Sequence, residues 1–122
     1  MAGKYEFIYA VAVIHMLVED SDRDRFYTFI RKHLNSKGIA LICTMGDGKT
    51  ELQTVIRTAF NLQNRVHEQT GTEVQIASTS YRMVSFETLH AELKRNGLEI
   101  VKEGITTAQP DFSKLMYVIV KK

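Results

Sequence analysis

The sequence predicts an α/β protein built on a mostly parallel sheet, with one antiparallel strand and with helices on its faces. Three observations predict it. Apolar, strand-like runs alternate with amphipathic helical stretches along the 122 residues, and such alternation implies right-handed crossovers and a parallel sheet. The first two runs, Phe7–Ile14 and Ile39–Cys43, lack clean alternation of apolar and polar residues, as in strands buried on both faces. The last two, Leu98–Ile105 and Leu115–Val120, are joined by a loop of about ten residues. That is too short for a helical crossover, so they are expected to pair antiparallel.

Between the first two strands, Glu19-Asp20-Ser21-Asp22 offers a helix start, with Asp20 or Ser21 as cap and acids at the positive end of the dipole. Phe26, Phe29, Ile30, His33 and Leu34 follow at helical spacing, and Gly38 is the expected stop. Met45-Gly46-Asp47-Gly48 reads as a loop. Leu52, Val55, Ile56, Ala59, Phe60 and Val66 then make the apolar stripe of a long helix, Glu51–Gln69, closed by Thr70-Gly71. Val74–Val84 is mixed: Val74, Ile76 and Ala77 suggest a short strand, Ser78-Thr79-Ser80 a loop. Ser85 caps a last helix with Phe86, Leu89 and Leu93 on one face, and Asn96-Gly97 ends it. The only proline, Pro110, falls in the loop Gln109-Pro110-Asp111.

The length makes one domain, 1–122, and 44% apolar content is enough for a core. A net charge of +2 with both signs interspersed gives no electrostatic footprint for nucleic acid or an anionic membrane. Arg31-Lys32, Lys94-Arg95 and Lys121-Lys122 read as solvated element ends. No apolar run approaches the roughly 20 residues of a membrane span. Cys43 is the only cysteine, so no internal disulfide forms. A single Cys in an apolar strand is a small core residue of a reducing compartment. With no signal peptide at Met1-Ala2-Gly3-Lys4, these points favour a cytoplasmic protein. Isolated His33, His67 and His90 offer no metal site and are expected at the surface or its boundary.

Several segments, taken in order, resemble the class I S-adenosylmethionine-dependent methyltransferases. Tyr5-Glu6-Phe7-Ile8-Tyr9 looks like the opening of that family's fourth strand. Ile14-His15-Met16-Leu17 looks like its "leucine-histidine-histidine-leucine" ending, and Leu34-Asn35-Ser36-Lys37-Gly38 like its turn before strand five. Ser85–Gly97 with Leu98-Glu99-Ile100-Val101 looks like the late helix and sixth strand, and Leu115–Lys122 like the seventh. The resemblance implies a partial Rossmann-like sheet, strands four to seven, with strand seven antiparallel between five and six. This is the C-terminal half of the fold. The Gly-rich loop and the acidic residue that hold the cofactor in that family have no counterpart here. No "asparagine-proline-proline-tyrosine" follows the first strand, which argues against methylation of adenine or glutamine nitrogen. The resemblance thus implies S-adenosylmethionine as cofactor of the complete fold, a small-molecule acceptor, and little cofactor binding by this chain alone.

Candidate residues follow from that frame. Ala12 and His15 end the first strand at the carboxyl edge, where open α/β sheets bind ligands. His15 has two readings: a hydrogen-bonding group or base in the methyl-transfer cleft, or a cap on a core strand. Gly46 and Asp47 hold the equivalent place after the second strand; Asp47 either meets substrate or caps the next helix. Tyr81 and Arg82 close a stretch, 49–84, that resembles a substrate-covering insertion. Gly48-Lys49-Thr50 is not a phosphate loop, because the position needing the first glycine is Cys43. The other reading is a noncatalytic assembly domain. In the complete fold strand four pairs with strand one. Without that neighbour Phe7–Ile14 is a hydrophobic edge suited to a homodimer or a partner chain.

Overall fold

The computed structural model describes residues 4–54, 62–66, 73–77, 80–107 and 114–122, the stretches 62–66 and 73–77 by their backbone alone. Strand β1 (Tyr5–Val11) leads through a single 3-10 turn, Ile14–Met16, to helix α1 (Asp20–His33). Strand β2 (Leu34–Met45) follows without a break. Four short strands come next: β3 (Leu52–Gln53), β4 (Leu62–Val66), β5 (Glu73–Ala77) and β6 (Arg82–Met83). Helix α2 (Phe86–Arg95) and strands β7 (Glu99–Thr106) and β8 (Leu115–Lys121) complete the order.

The main sheet has the order β1-β2-β8-β7. β1 and β2 are parallel, and β8 is antiparallel to both β2 and β7. Three strands therefore run one way and β8 runs against them, the α/β arrangement expected from the sequence. β3 pairs with β6, and β4 with β5, each antiparallel.

One face of this sheet makes the core. Ala40 and Ile42 on β2 and Met116, Val118 and Val120 on β8 pack in one cluster with Tyr27 and Ile30 of α1 and Leu89 and Leu93 of α2. Each aliphatic side chain buried there contributes roughly 1.5–3 kcal/mol. Helix α2 is well specified locally. The Ser85 Oγ accepts from the Thr88 N–H at 3.2 Å. At its other end Gly97 takes φ +75°. That lets the N–H groups of Gly97 and Leu98 donate back to Lys94 and Leu93, a Schellman closure that a side chain at Gly97 would strain.

The opposite face is different. Phe7, Tyr9 and Val11 on β1 lie beside Ile39, Leu41 and Cys43 on β2. They are 52, 69 and 49% exposed. The expected burial of the first strand on both faces is thus corrected: β1 is an edge strand whose outward row has no cover among the described residues. It also ends at Val11, three residues before the predicted Ile14, because Ala12 turns left-handed with φ +60°.

Other expectations change as well. Gly38 does not stop α1, which ends at His33; it lies within β2. A Cβ there would meet the Leu34 side chain at 2.8 Å and the Tyr5 carbonyl at 2.9 Å, so the residue serves close backbone approach. The cap of α1 is Glu19, without a side-chain bond, and Asp20 is taken by Arg82 instead. The buried stripe of α1 is Arg23, Tyr27, Ile30 and His33. Phe29 is exposed. His33 is buried rather than at the surface, its ring 4.4 Å from that of Phe29. The predicted helix Glu51–Gln69 is replaced, in its described parts, by β3 and β4; positions 55–61 and 67–69 of it lie outside the described residues, as do Thr70-Gly71, Ser78-Thr79 and Gln109-Pro110-Asp111. Among the described residues no helix is long and apolar enough to cross a membrane.

Candidate functional site at the carboxyl edge of the sheet

β1, β2 and β7 present their carboxyl ends to the same edge of the sheet, the place where open α/β folds bind ligands. At the end of β1 the Ala12 N–H still donates to the Cys43 carbonyl, at 2.9 Å. The left-handed φ of this non-glycine residue then swings the chain out of the sheet. A left-handed alanine costs on the order of 1 kcal/mol, and such strain clusters at functional turns. The 3-10 turn that follows carries His15. Its Nδ1 is buried without a hydrogen-bond partner among the described residues. Burial, helped by the Arg23 charge, lowers the pKa of the ring below its usual 6.5. The imidazole is therefore neutral at neutral pH, able to accept a hydrogen bond or a proton.

The loop after β2 is held tightly. The Gly46 N–H donates to Lys114 O. Asp47 Oδ1 accepts from the N–H groups of Lys49 and Thr50 at 2.9 and 2.7 Å, and Oδ2 accepts from the Thr50 hydroxyl at 2.8 Å. Those bonds, first the one from the Thr50 N–H, bring the carboxyl down to about 2. Asp47 thus organises its own loop. It does not cap a following helix, since β3 stands there. The ordering contribution of this carboxylate is expected to be complete above its unfolded pKa of 3.8 and to be lost as pH falls through about 2. A carboxyl carbon titration by NMR checks it; a midpoint near 3.8 would mean the turn is not formed.

A third piece crosses the edge. The Ser80 hydroxyl donates to Met16 O at 3.1 Å, and Arg82 Nη1 donates to Val18 O at 3.0 Å and to Asp20 Oδ1 at 2.6 Å. The Thr54 N–H donates to Tyr81 O at 3.0 Å, and the Tyr81 N–H donates to the Thr54 hydroxyl at 3.1 Å. Glu51 is drawn to the start of α2, where it accepts from the Ser85 N–H and from the hydroxyls of Ser85 and Thr88. These bonds lower its pKa, that from Ser85 most. The six residues singled out in the sequence, Ala12, His15, Gly46, Asp47, Tyr81 and Arg82, lie on the three segments that meet at this edge. A pocket of about 120 Å³ beside Arg82 is lined by Glu51, Leu52, Gln53 and Met83. A larger groove, about 800 Å³, runs along β7 from Gly97 to Glu103. It starts at the amino end of that strand, so its size does not make it the site.

Sequence reasoning missed the group beneath the edge. Arg23 is fully buried and donates from Nε and Nη2 to the two carboxylate oxygens of Glu92, each at 2.9 Å. The Tyr27 hydroxyl donates to the same carboxylate at 2.8 Å. Burial drives the Tyr27 pKa up, and the Glu92 charge adds to it. Burial opposes the Arg23 charge, yet the bonds to Glu92 keep its pKa above the usual value. The available signal was spacing: Arg23 precedes Tyr27 by four residues and Ile30 by seven, on the buried stripe. Cys43 is buried and its thiol pKa is raised, so it is no nucleophile. Among the described residues no cluster of three His, Cys, Asp or Glu forms a metal site.

No protein-family model matches the sequence, and neither does any curated protein. Solved structures do. An S-adenosylmethionine-dependent methyltransferase from Clostridium acetobutylicum aligns with a TM-score of 0.67 and 11% identity, over 99% of this chain and 59% of its own. The Burkholderia thailandensis 1,6-didemethyltoxoflavin-N1-methyltransferase, solved with 1,6-didemethyltoxoflavin and S-adenosylhomocysteine, aligns with 0.71 and 12%, over 100% and 46%. The CcbJ methyltransferase of Streptomyces caelestis aligns with 0.65 and 13%, over 98% and 57%. The chain spans about half the length of these structures. Its α/β architecture is similar to part of the Rossmann-like fold of these S-adenosylmethionine-dependent methyltransferases.

Proposed function

We propose that this chain corresponds to the C-terminal half of such a methyltransferase and forms one wall of a cleft that methylates a small molecule. The observation that carries the reading is the convergence at the carboxyl edge of a left-handed Ala12, a neutral His15 with an unpartnered buried nitrogen, and the loop at Gly46-Asp47. The fit to S-adenosylmethionine is partial. Ala12 and His15 suit a ligand at the end of β1: one opens the backbone, the other has an unused polar atom. The sequence has no Gly-rich strand-to-helix loop to carry the rest of the cofactor.

When bound, the cofactor supplies a methyl group already activated on a sulfonium. What remains for the protein is to hold the acceptor in line and keep water out. Ala12 and His15 would face the cofactor. Gly46, Asp47, Tyr81 and Arg82 would face the acceptor, beside the described parts of the stretch 49–84. The neutral His15 ring could take the proton released by an oxygen or nitrogen acceptor. We place a polypeptide bearing the Gly-rich loop against the uncovered β1 row, because the matching structures extend well beyond the span they share with this chain.

The test is a titration of isotopically labelled chain with S-adenosylhomocysteine, followed by NMR. Weak binding, in the millimolar range, is expected to shift the amides of Ala12–Met16 first. Shifts confined to the β7 groove, or none at saturation of solubility, would sink the reading. The second reading, a noncatalytic domain assembling through β1, is favoured by the same exposed row. A tight homodimer that ignores S-adenosylhomocysteine would select it.

A further inference from the structure

We propose that Arg23 is a positioning residue for His15, and that the buried Arg23–Glu92–Tyr27 cluster fixes the turn that carries this histidine. The link to catalysis rests on the methyltransferase reading; the clamp itself does not.

The turn cannot order itself. Its internal bonds are those from Met16 N–H to Val13 O and from Leu17 N–H to Ile14 O, and an isolated turn of this length is unstable. Nor does His15 orient its own ring through Nδ1, which has no partner among the described residues. Order must come from outside, and the structure shows its source. Arg23 Nη1 donates to Ile14 O at 2.9 Å and to Leu17 O at 3.0 Å, gripping the turn on both sides of His15. The rest of the guanidinium is committed to Glu92, so the fork cannot rotate. Tyr27 pins the carboxylate in turn. From the solvent side Ser80 and Arg82 take the carbonyls of Met16 and Val18. The carbonyls of Ile14, Met16, Leu17 and Val18 are thus each engaged by a side chain, two of them by one buried arginine.

A buried ion pair is a poor device for stability alone, since an apolar pair of similar volume does as well or better. What an apolar pair cannot do is aim two carbonyls. The test compares the parent with Arg23→Met/Glu92→Leu, which keeps the volume and removes the grip. Hydrogen exchange is read by NMR at the Met16 and Leu17 amides, against the Leu93 amide inside α2, with the His15 ring signals as a second readout. With two charge-assisted bonds gone, Met16 and Leu17 are expected to exchange at least about tenfold faster while Leu93 is unchanged. The His15 ring signals should move toward those of an exposed histidine. Unchanged turn amides and ring signals in a folded double variant would overturn the proposal, leaving the cluster a brace between α1 and α2.

If that variant does not fold, Tyr27→Phe decides. It removes one hydroxyl on the far side of Glu92, and a selective acceleration of about threefold at Met16 and Leu17 is expected. Equal acceleration at Leu93, or none at the turn, would refute the clamp. All readouts are made without cofactor, so they test the clamp alone. A cofactor-induced shift of the His15 ring tests the methyltransferase reading separately.

Discussion

Glu92→Ala is expected to destabilise the fold by about 3–5 kcal/mol. The mechanism is an orphaned charge. Arg23 has no exposure and spends two of its donor positions on the Glu92 carboxylate. Without that partner the guanidinium stays buried, because its other contacts, to Ile14 O and Leu17 O, hold it in place. Tyr27 loses its acceptor in the same step, adding an unsatisfied hydroxyl. Domains of this size are stable by only about 5–15 kcal/mol, so a large part of the margin goes. Denaturant unfolding of the parent, of Glu92→Ala and of Arg23→Met/Glu92→Leu checks it. The double variant should recover most of the loss, since it buries no uncompensated charge. A Glu92→Ala penalty below about 1 kcal/mol would mean that water reaches the pair, the regime of surface ion pairs.

The same cluster marks where the sequence stopped being readable. Arg23 and Arg25 stand in one polar run, Asp22-Arg23-Asp24-Arg25, and locally only spacing separates them, Arg23 being in register with Tyr27 and Ile30. The one is fully buried and the other forms an exposed pair with Asp22. What lets a charge occupy that buried register is Glu92, 69 positions away, and a partner at that distance leaves no periodic trace. The strands of the main sheet were readable for the opposite reason: apolar runs bounded by turn residues need no distant information. Burial was misjudged for β1, because an apolar run looks the same whether its second face is covered or bare.

The stretch from Leu52 to Val66 failed differently. Its apolar residues fall at helical spacing, but the described parts pair as strands, Leu62 opposite Ala77 and Val66 opposite Glu73. At the candidate site, partnership was not legible. All six singled-out residues lie on segments reaching the carboxyl edge. That Arg82 would be bonded to Val18 O and Asp20, or Asp47 to its own loop, depended on backbone conformations no spacing encodes.

The second large effect is expected on the outer row of β1. Phe7→Lys/Tyr9→Lys should weaken association through this face by at least about 100-fold, two large apolar anchors being exchanged for charges that must be desolvated. The same double variant should leave the stability of the fold within about 0.5 kcal/mol, because both side chains are more than half exposed already. The two expectations pull apart what a core residue would join. Sedimentation equilibrium reads the first, denaturant unfolding the second. In a solution of this chain alone, the occupant available to the row is a second copy, so concentration-dependent dimerisation of the parent and a monomeric variant are the expected pair of results. Adding the N-terminal half of a matching methyltransferase then separates the two readings of function. If β1 is built to meet a Gly-rich half, such a segment should compete with the dimer and sharpen S-adenosylhomocysteine binding in the parent but not in the variant. If β1 is built for self-assembly, the dimer should persist and the cofactor analogue should stay weakly bound. A parent that is monomeric at high concentration would remove the row from the self-assembly account. Phe7 and Tyr9, their rings stacked with centroids 6.1 Å apart, would then be a self-contained aromatic pair on an exposed sheet.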